Sequence, residues 1–205
     1  YVTYAFNITG GAALKWYRDT FASDLHAHPA PFASAYAALE GNMPKTPTGL
    51  LCLPHFAGSG TPDMDMRSRG AVMGLTLNTT RAELYKGLLE GIAFEAMVNL
   101  ESLARCGVHA KELRTAGGGA RSAQWLQIRA DVFGKPVIQM KVEEAGTLGC
   151  AILAGKASGI YASCAQGAEA VVKIARVFEP NEKNHAIYEE QYARYKRLYA
   201  AEKDI

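Results

Sequence analysis

Three consecutive glycines, Gly117–Gly119, stand between a short apolar run and a helical pattern that begins near Ala123. Without Cβ atoms, glycines adopt positive φ angles and let a ligand approach the backbone closely. The N-terminus of the following helix offers unpaired N–H groups and the positive end of a dipole, which attract an anion. The segment predicts a strand–turn–helix unit with a nucleotide site at the turn, although plain turn chemistry also fits it.

Two common phosphate-binding loops do not fit this segment. The dinucleotide fingerprint needs a further glycine where Ser122 stands, and no acidic residue follows at the usual spacing of about 20 residues. The Gly-x-x-x-x-Gly-Lys-Ser/Thr loop is absent, and its nearest counterpart, residues 155–157, has no hydroxyl for magnesium. A Walker-type NTPase is disfavoured. A Rossmann oxidoreductase stays open as an alternative that predicts NADH binding.

Composition and charge limit the class of protein. The 205 residues are 49% hydrophobic and carry a formal net charge of +2 without a basic run, so we expect a globular protein with no nucleic-acid partner. No apolar run approaches the roughly 18 residues that span a bilayer, and no signal peptide is evident, so we expect a cytoplasmic protein without membrane contact. The four widely spaced cysteines predict reduced thiols.

Helical and strand-like patterns alternate along the chain. The clearest helix starts at a capping box formed by Thr80 and Glu83, continues through a stripe of leucines, and stops at Gly107. Further strands are predicted at residues 4–8, 113–116 and 137–142, and helices at residues 14–21, 32–39, 123–133, 146–157, 165–174 and 182–201. The final helix carries Tyr188, Tyr192, Tyr195 and Tyr199 at spacings of three and four, which predicts a packed aromatic face.

Several polar residues are of types that ligate metals. Asp63 and Asp65 share a loop with Asn78 downstream, but a further ligand at suitable spacing is missing. His26 and His28 flank one alanine in a proline-rich connector, and a surface pair is the commoner outcome for such residues. We predict no metal site formed by these side chains.

Two other polar residues have open roles. His55 lies in a loop that we expect near the cleft, where it either contacts the sugar or its phosphate or is structural. Asp131 lies near the C-terminal end of its helix, where the helix dipole disfavours a carboxylate. We expect a hydrogen bond to compensate at Asp131.

Three groups of residues, taken in order, carry a resemblance to a known family. The first group is Thr61-Pro62, Asp65, Arg69-Gly70, Gly74-Leu75-Thr76 and the helix that contains Glu90-Gly91. The second is residues 117–122 with Trp125, Gln127 and Asp131, and the third is Glu144 with residues 146–151. In this order the chain resembles, over nearly its whole length, the C-terminal domain of the FGGY carbohydrate kinases, which belong to the actin and hexokinase-like ATPase superfamily.

The resemblance implies a fold and a set of nucleotide-binding residues. The fold would be α/β of ribonuclease H type, a mixed sheet flanked by helices, with residues 1–205 forming one C-terminal nucleotide-binding domain. The backbone of Gly117 and Gly118 would lie against the α-phosphate and ribose of ATP, and Gly119 would belong to the same nucleotide-binding turn. Ser122 would sit beside the adenine, where it also qualifies as a helix cap. Gly74 would border the same cleft.

The resemblance also implies an activity. The parent enzyme would use ATP and Mg2+ to phosphorylate a hydroxyl of a ketopentose, ketohexose or polyol. In the family, the catalytic groups come from two hairpins and an aspartate that precede this domain, and those motifs do not occur here. We therefore expect no catalytic residue in this chain, a fragment that is inactive alone, and the N-terminal sugar-binding domain of the same kinase as its partner. A homodimer stays open, and a non-catalytic nucleotide-binding regulatory module is the competing interpretation.

Overall fold

The computed structural model describes residues 2–27 and 34–203. Among them, the helices are α1 (Gly11–Phe21), α2 (Asp24–Ala27), α3 (Ala35–Gly41), α4 (Arg81–Arg105), α5 (Ala123–Phe133), α6 (Ala145–Ala157), α7 (Cys164–Val171), α8 (Glu182–Tyr195) and α9 (Leu198–Lys203). The strands are β1 (Leu51–Leu53), β2 (Ala71–Met73), β3 (Leu113–Thr115), β4 (Val137–Met140) and β5 (Ile174–Phe178). His28 and the side chain of His26 lie outside the described residues, so the predicted histidine pair does too.

The predicted mixed sheet flanked by helices is present. Strand β4 lies in the middle, with β3 parallel to it on one side and β5 antiparallel on the other. Val137 opposes both Leu113 and Phe178, and it is fully buried. A separate antiparallel pair, β1 and β2, packs against α4. The parallel β3–β4 pair matters most for function, because ligands of open α/β sheets bind beyond the carboxyl ends of such strands.

Helix α4 is the central element, and its sequence signals are confirmed. The Glu83 carboxylate accepts a 2.7 Å hydrogen bond from the Thr80 amide, and the Thr80 hydroxyl accepts one of 3.2 Å from the Glu83 amide. The helix continues for 25 residues, and Gly107 beyond its end has a φ of +83°. One helix thus contacts α1, α3, α5 and β1.

The four tyrosines of the final helical segment form the predicted packed face. Tyr188, Tyr192 and Tyr195 are buried, and their rings lie 5.3 to 5.9 Å from the ring of Phe94 on α4. Two buried carboxylates also belong to this contact, because the Tyr188 hydroxyl donates to Glu90 and the Tyr195 hydroxyl to Glu95. We call these six residues the α4–α8 seam.

Three local predictions were wrong. Residues 4–8 form no strand, and the backbone hydrogen bond there is the one that the Phe6 carbonyl accepts from the Thr61 amide. The helix predicted over residues 165–174 ends at Val171, and the chain turns into edge strand β5. The final helix breaks after Tyr195, while the tyrosine spacing continues through the break.

Other predicted elements are shifted rather than wrong. Helix α3 begins at Ala35, where the Ser34 hydroxyl accepts from the Ala37 amide at 3.2 Å; Phe32 lies outside the described residues. All four cysteines are free, as predicted, and Cys52 is the buried one. None of the helices in the described part of the chain is both long and apolar enough to cross a membrane.

Candidate nucleotide site

The glycine turn (Gly117–Ser122) follows β3 at the carboxyl end of the parallel strand pair. Gly117 has a φ of +84°, which favours glycine, and a 3-10 turn at Gly118–Arg121 follows it. Helix α5 then starts at Ala123, and the Ser122 hydroxyl caps it by accepting a 3.0 Å hydrogen bond from the Trp125 amide. The strand–turn–helix unit that the sequence predicted is therefore present.

The backbone amides of the glycine turn differ in what they bind. The Gly117 amide donates to the Glu143 carbonyl at 2.9 Å, so it is already paired. In contrast, no described residue accepts a hydrogen bond from the amide of Gly118 or of Gly119. The two unpaired amides are the groups that an anion would find at this turn.

Contacts from the following strand and loop hold the glycine turn in place. The Arg121 guanidinium donates from Nε and Nη2 to one Glu143 carboxylate oxygen, at 2.7 and 2.6 Å. From β4, the Gln139 side chain donates to the Ala120 carbonyl at 2.8 Å. These bonds use the side chain and carbonyl groups of the turn and leave the Gly118 and Gly119 amides free. The turn is thus fixed before any ligand binds, which lowers the entropy cost of binding.

The space beside the three glycines shows which of them border open volume. A Cβ atom added to Gly117 or Gly118 would meet no atom within 4 Å. A Cβ atom on Gly119 would lie 2.5 Å from Cζ3 of Trp125, so glycine is needed there for the indole ring to pack. Gly118 therefore borders open space, whereas Gly119 has a packing role as well.

A cleft of about 650 Å³ opens beside the turn. We call it the α1–α5 cleft. Its walls come from four regions of the chain: Gly11 and Leu14 of α1; Ser34, Tyr36, Ala37 and Glu40 at α3; Tyr85 of α4; and Gly118, Gly119, Arg121, Ser122 and Trp125. The volume falls within the range of about 300 to 1,000 Å³ that small-molecule sites occupy.

The start of α1 is a second helix N-terminus in this cleft with the chemistry that attracts an anion, and sequence reasoning missed it. Gly10 is the N-cap residue and supplies no side-chain cap, so the first amides of α1 have no side-chain acceptor. Gly11, the first residue of the helix, lines the cleft. Unpaired first-turn amides and the helix dipole favour a phosphate there. The signal in the sequence that could have revealed it is the pair Gly10-Gly11 at the start of a helical pattern.

The side chains of the cleft combine apolar surface with a few polar groups. Leu14, Ala37 and Trp125 are apolar, and the Arg129 guanidinium lies 4.2 Å from the centre of the Trp125 ring. Burial raises the pKa of the Glu40 carboxyl, while a hydrogen bond from the Ser122 hydroxyl acts in the opposite direction. Apolar walls with a small number of polar groups are typical of nucleotide and cofactor sites.

Gly74, the remaining predicted site residue, has a structural reason to be glycine. Its φ is +93°, and an added Cβ atom would lie 2.9 Å from the Gly49 carbonyl oxygen. It is not among the described residues that line the α1–α5 cleft. A role for Gly74 beside the nucleotide stays a prediction.

His55 is buried in a polar cluster instead of lining the cleft. Its Nδ1 lies 2.7 Å from the Ser68 hydroxyl, and its Nε2 lies 3.2 Å from Oε1 of Glu95. Only 3% of the residue is exposed. These contacts favour the structural alternative of the two that the sequence left open.

Asp131 has the compensating hydrogen bonds that its position on α5 requires. Its carboxylate accepts from the side chains of Gln127 at 2.7 Å and Asn184 at 2.9 Å. It also accepts from the Asn181 amide at 2.8 Å, where α8 begins. Asp131 therefore joins α5 to α8, which is a structural role.

Asp65, one of the two candidate metal-binding carboxylates, is engaged elsewhere. Asp65 accepts from the Arg67 amide at 2.9 Å and from the Tyr199 hydroxyl at 3.0 Å. Across residues 2–27 and 34–203, no group of three or more His, Cys, Asp or Glu side chains is placed to hold a metal ion.

Comparison with known proteins places this chain in a family. Residues 1–158 match the FGGY family of carbohydrate kinases, C-terminal domain. Xylulose kinase of Staphylococcus epidermidis is 32% identical over 204 residues, which are 98% of this chain and 40% of that protein. Glycerol kinase of Rhodopirellula baltica is 34% identical over 192 residues, 93% of this chain and 33% of that protein. The chain belongs to the FGGY family of carbohydrate kinases.

Solved structures show the same fold. Xylulose kinase from Rhodospirillum rubrum superposes with a TM-score of 0.77 at 28% identity, covering 95% of this chain and 38% of that one. Glycerol kinase from Plasmodium falciparum, crystallised with ADP, superposes with a TM-score of 0.74 at 23% identity, covering 92% of this chain and 37% of that one. The predicted actin and hexokinase-like fold is confirmed. The chain spans about two fifths of the length of these relatives or less.

Proposed function

We propose that this chain is the ATP-binding part of a carbohydrate kinase that transfers the γ-phosphate of ATP to a hydroxyl of a ketopentose, ketohexose or polyol. The observation that carries the proposal is the α1–α5 cleft, in which Gly118 and Gly119, with unpaired amides, share a wall with the uncapped start of α1. Two sets of backbone donors suit the phosphate chain of one nucleotide. The named relatives, a xylulose kinase and a glycerol kinase, support the sugar or polyol acceptor.

The apolar part of the same cleft suits the nucleoside. Leu14, Ala37 and the edge of Trp125 offer surface for a purine ring, and Ser122 follows the phosphate-binding amides by three residues. In this arrangement Gly117 and Gly118 lie against the α-phosphate and ribose, and Ser122 lies beside the base. Gly117 contributes through its backbone conformation, since its amide is paired.

We propose that residues 1–205 act as a single nucleotide-binding domain, including the part beyond residue 158. Strand β5 pairs with β4 in the same sheet, so the C-terminal region completes the sheet that carries the glycine turn. Helix α8 packs on α5, its tyrosine rings contact Phe94 of α4, and Asp131 is bonded to the α8 start. This region is an integral part of the nucleotide-binding fold.

The remaining catalytic parts belong to a second, sugar-binding domain in this proposal. Phosphoryl transfer needs Mg2+ on the phosphates and a carboxylate near the attacking hydroxyl. The described residues lack a metal-binding cluster, so the ion is held by the ATP phosphates and by groups of that other domain. Closure of the two domains on ATP and sugar excludes water and directs the phosphoryl group to the sugar.

The direct test is calorimetric titration of the chain with ATP, ADP and NADH, in the wild type and in two glycine variants. Gly118→Ala places a methyl group in the open space beside the unpaired amides, so we expect ATP affinity to fall on the order of tenfold. Gly146→Ala is the matched control. The methyl group added there also meets no atom within 4 Å, but Gly146 lies outside the cleft, so we expect the variant to bind ATP with unchanged affinity.

Each alternative has a distinct result in this experiment. Binding of NADH but not ATP would point to an oxidoreductase. ATP binding that is insensitive to Gly118→Ala would place the nucleotide elsewhere. For the activity, we expect the isolated chain to bind ATP without phosphorylating a sugar; turnover by it alone would contradict the division into two domains. ATP binding by a full-length protein that phosphorylates no sugar would support the regulatory module.

A further inference from the structure

The α1–α5 cleft contains a polar group that neither the fold nor the phosphate-binding amides require. Glu40 of α3 lines this cleft and also a neighbouring cavity of about 370 Å³. It therefore stands at the margin of the cleft, between two open volumes. A partly buried carboxylate in an apolar site is costly unless donors satisfy its oxygens.

The hydrogen bonding around Glu40 is incomplete. The Ser122 hydroxyl supplies one interaction, and burial still raises the pKa of the Glu40 carboxyl. None of the described lysine or arginine side chains forms an ion pair with it. An ionised carboxylate accepts several hydrogen bonds, so Glu40 has capacity left for a donor on a ligand.

A second unpaired polar group lies beside Glu40. Tyr85 of α4 lines the cleft, only 1% of the residue is exposed, and no described residue hydrogen-bonds its hydroxyl. Burial and the nearby Glu40 carboxylate both raise the pKa of Tyr85, so it stays a neutral phenol that can donate. Among its polar groups, the cleft thus presents an acceptor, Glu40, and a donor, Tyr85.

This arrangement matches one edge of adenine. The 6-amino group of adenine is a donor, and the ring nitrogen next to it is an acceptor. We propose that Glu40 accepts a hydrogen bond from the 6-amino group of the bound adenine nucleotide and that Tyr85 donates to the adjacent ring nitrogen. The proposal rests on the proposed function, because it assigns the base contacts of the ATP site.

The test compares two nucleotides that differ only in the 6-amino group: ADP and purine riboside 5′-diphosphate, which has hydrogen at that position. The 205-residue chain is titrated with each nucleotide by calorimetry. In the wild type we expect ADP to bind about tenfold more tightly than the analogue, because the analogue leaves the Glu40 oxygen unpaired. In Glu40→Ala the ratio falls to about one, since the partner of the amine is gone.

Three further variants separate this contact from other effects. Glu40→Gln keeps a neutral acceptor and gives an intermediate ratio, which also covers the case in which Glu40→Ala fails to fold. Tyr85→Phe weakens both nucleotides alike and leaves their ratio unchanged, because both keep the ring nitrogen. Glu169→Ala, an exposed glutamate on α7, is the control and binds like the wild type.

The outcomes distinguish this inference from the function on which it rests. A wild-type ratio near one, or a tenfold ratio that persists in both Glu40 variants, overturns the assignment of Glu40 while leaving ATP binding intact. Failure of the wild-type chain to bind either nucleotide overturns the proposed function itself.

Discussion

The glycine turn and the α4–α8 seam satisfy their polar groups in different ways. At the turn, the amides of Gly118 and Gly119 have no partner among the described residues, and a methyl group added to Gly118 would meet no atom within 4 Å. In the seam, the buried Glu90 carboxylate accepts hydrogen bonds from the Thr48 amide at 3.0 Å and the Tyr188 hydroxyl at 2.8 Å. The turn therefore keeps two backbone donors open, whereas the Glu90 carboxylate of the seam is satisfied within the chain.

This difference indicates that the free energy of unfolding and the affinity for nucleotide depend on different residues. Substitutions in the seam remove contacts made by the folded chain, so they lower the free energy of unfolding. Gly118→Ala at the cleft places a methyl group beside amides that no described residue uses, so it lowers nucleotide affinity with little effect on folding. We therefore expect a substitution in one region to leave the property of the other unchanged, as is usual for sites that share no partners.

The largest effect is expected for Glu90→Ala in the seam. This change removes a fully buried carboxylate and leaves Lys86, whose Nζ lies 3.8 Å from it, as a buried charge without its counter-ion. We expect a loss of about 3 to 5 kcal/mol in the free energy of unfolding, measured by urea denaturation. Glu169→Ala, at an exposed position, should change it by less than about 0.5 kcal/mol. A loss below about 1 kcal/mol for Glu90→Ala would show that the seam contributes little to the free energy of unfolding.

The next effect is a change of the unfolding free energy with pH, and it involves Cys52, a buried residue close to Tyr195 of the seam. Burial raises the pKa of the Cys52 thiol to about 12, against about 8.5 in the unfolded chain. Its stabilising contribution is therefore complete below pH 8.5 and is lost as the pH rises towards 12, because only the unfolded thiol ionises.

The measurement for Cys52 is the change in unfolding free energy between pH 8 and pH 10. We expect the wild type to lose about 2 kcal/mol more than Cys52→Ala, because the tyrosine contributions are common to both and cancel. Cys106→Ala, at an exposed position, should follow the wild type. Equal losses in wild type and Cys52→Ala would show that the thiol is accessible to solvent in the folded protein.

A smaller effect is expected for Tyr188→Phe. The change deletes the hydroxyl that donates to Glu90 and keeps the ring that packs on Phe94. The free energy of unfolding should fall by about 1.5 kcal/mol, while ADP affinity stays the same. Tyr4→Phe is the control, since Tyr4 is 79% exposed. A loss of ADP affinity in Tyr188→Phe would break the separation between seam and cleft.

The smallest effect is expected for Ser122→Ala at the cleft. The Ser122 hydroxyl caps α5, so its removal should cost about 1 kcal/mol of unfolding free energy. We expect ADP affinity to change by less than about threefold, which follows if the hydroxyl acts as a cap and only supports Glu40. A loss of more than tenfold with unchanged stability would make Ser122 a ligand-binding group instead.

The parts of the fold that could be predicted are those that depend on residues close together in the sequence. The capping box of α4, the glycine turn and the cap at Ser122 are all set by residues within three or four positions of each other. Short-range signals failed where tertiary pairing decides the outcome. Ile174 fits a helical pattern but joins edge strand β5, because β4 offers it a partner.

The same reasoning explains which site residues were missed. Gly118 was found because its own segment carries the signal, whereas Glu40 and Tyr85 are ordinary helix residues in sequence. They enter the site only because α3 and α4 pack beside α5. Gly11 is intermediate, since its glycine pair was visible but its place in the cleft depends on how α1 packs against α4.

The central claim is that unpaired backbone amides of the α1–α5 cleft hold an adenine nucleotide. The most direct measurement is amide NMR of the chain labelled with 15N at its 20 glycines, titrated with ADP. We predict shifts of the signals of Gly11, Gly118 and Gly119, and none for Gly91 and Gly167, which are packed against other atoms. Binding of ADP that leaves the first three signals in place would contradict the account.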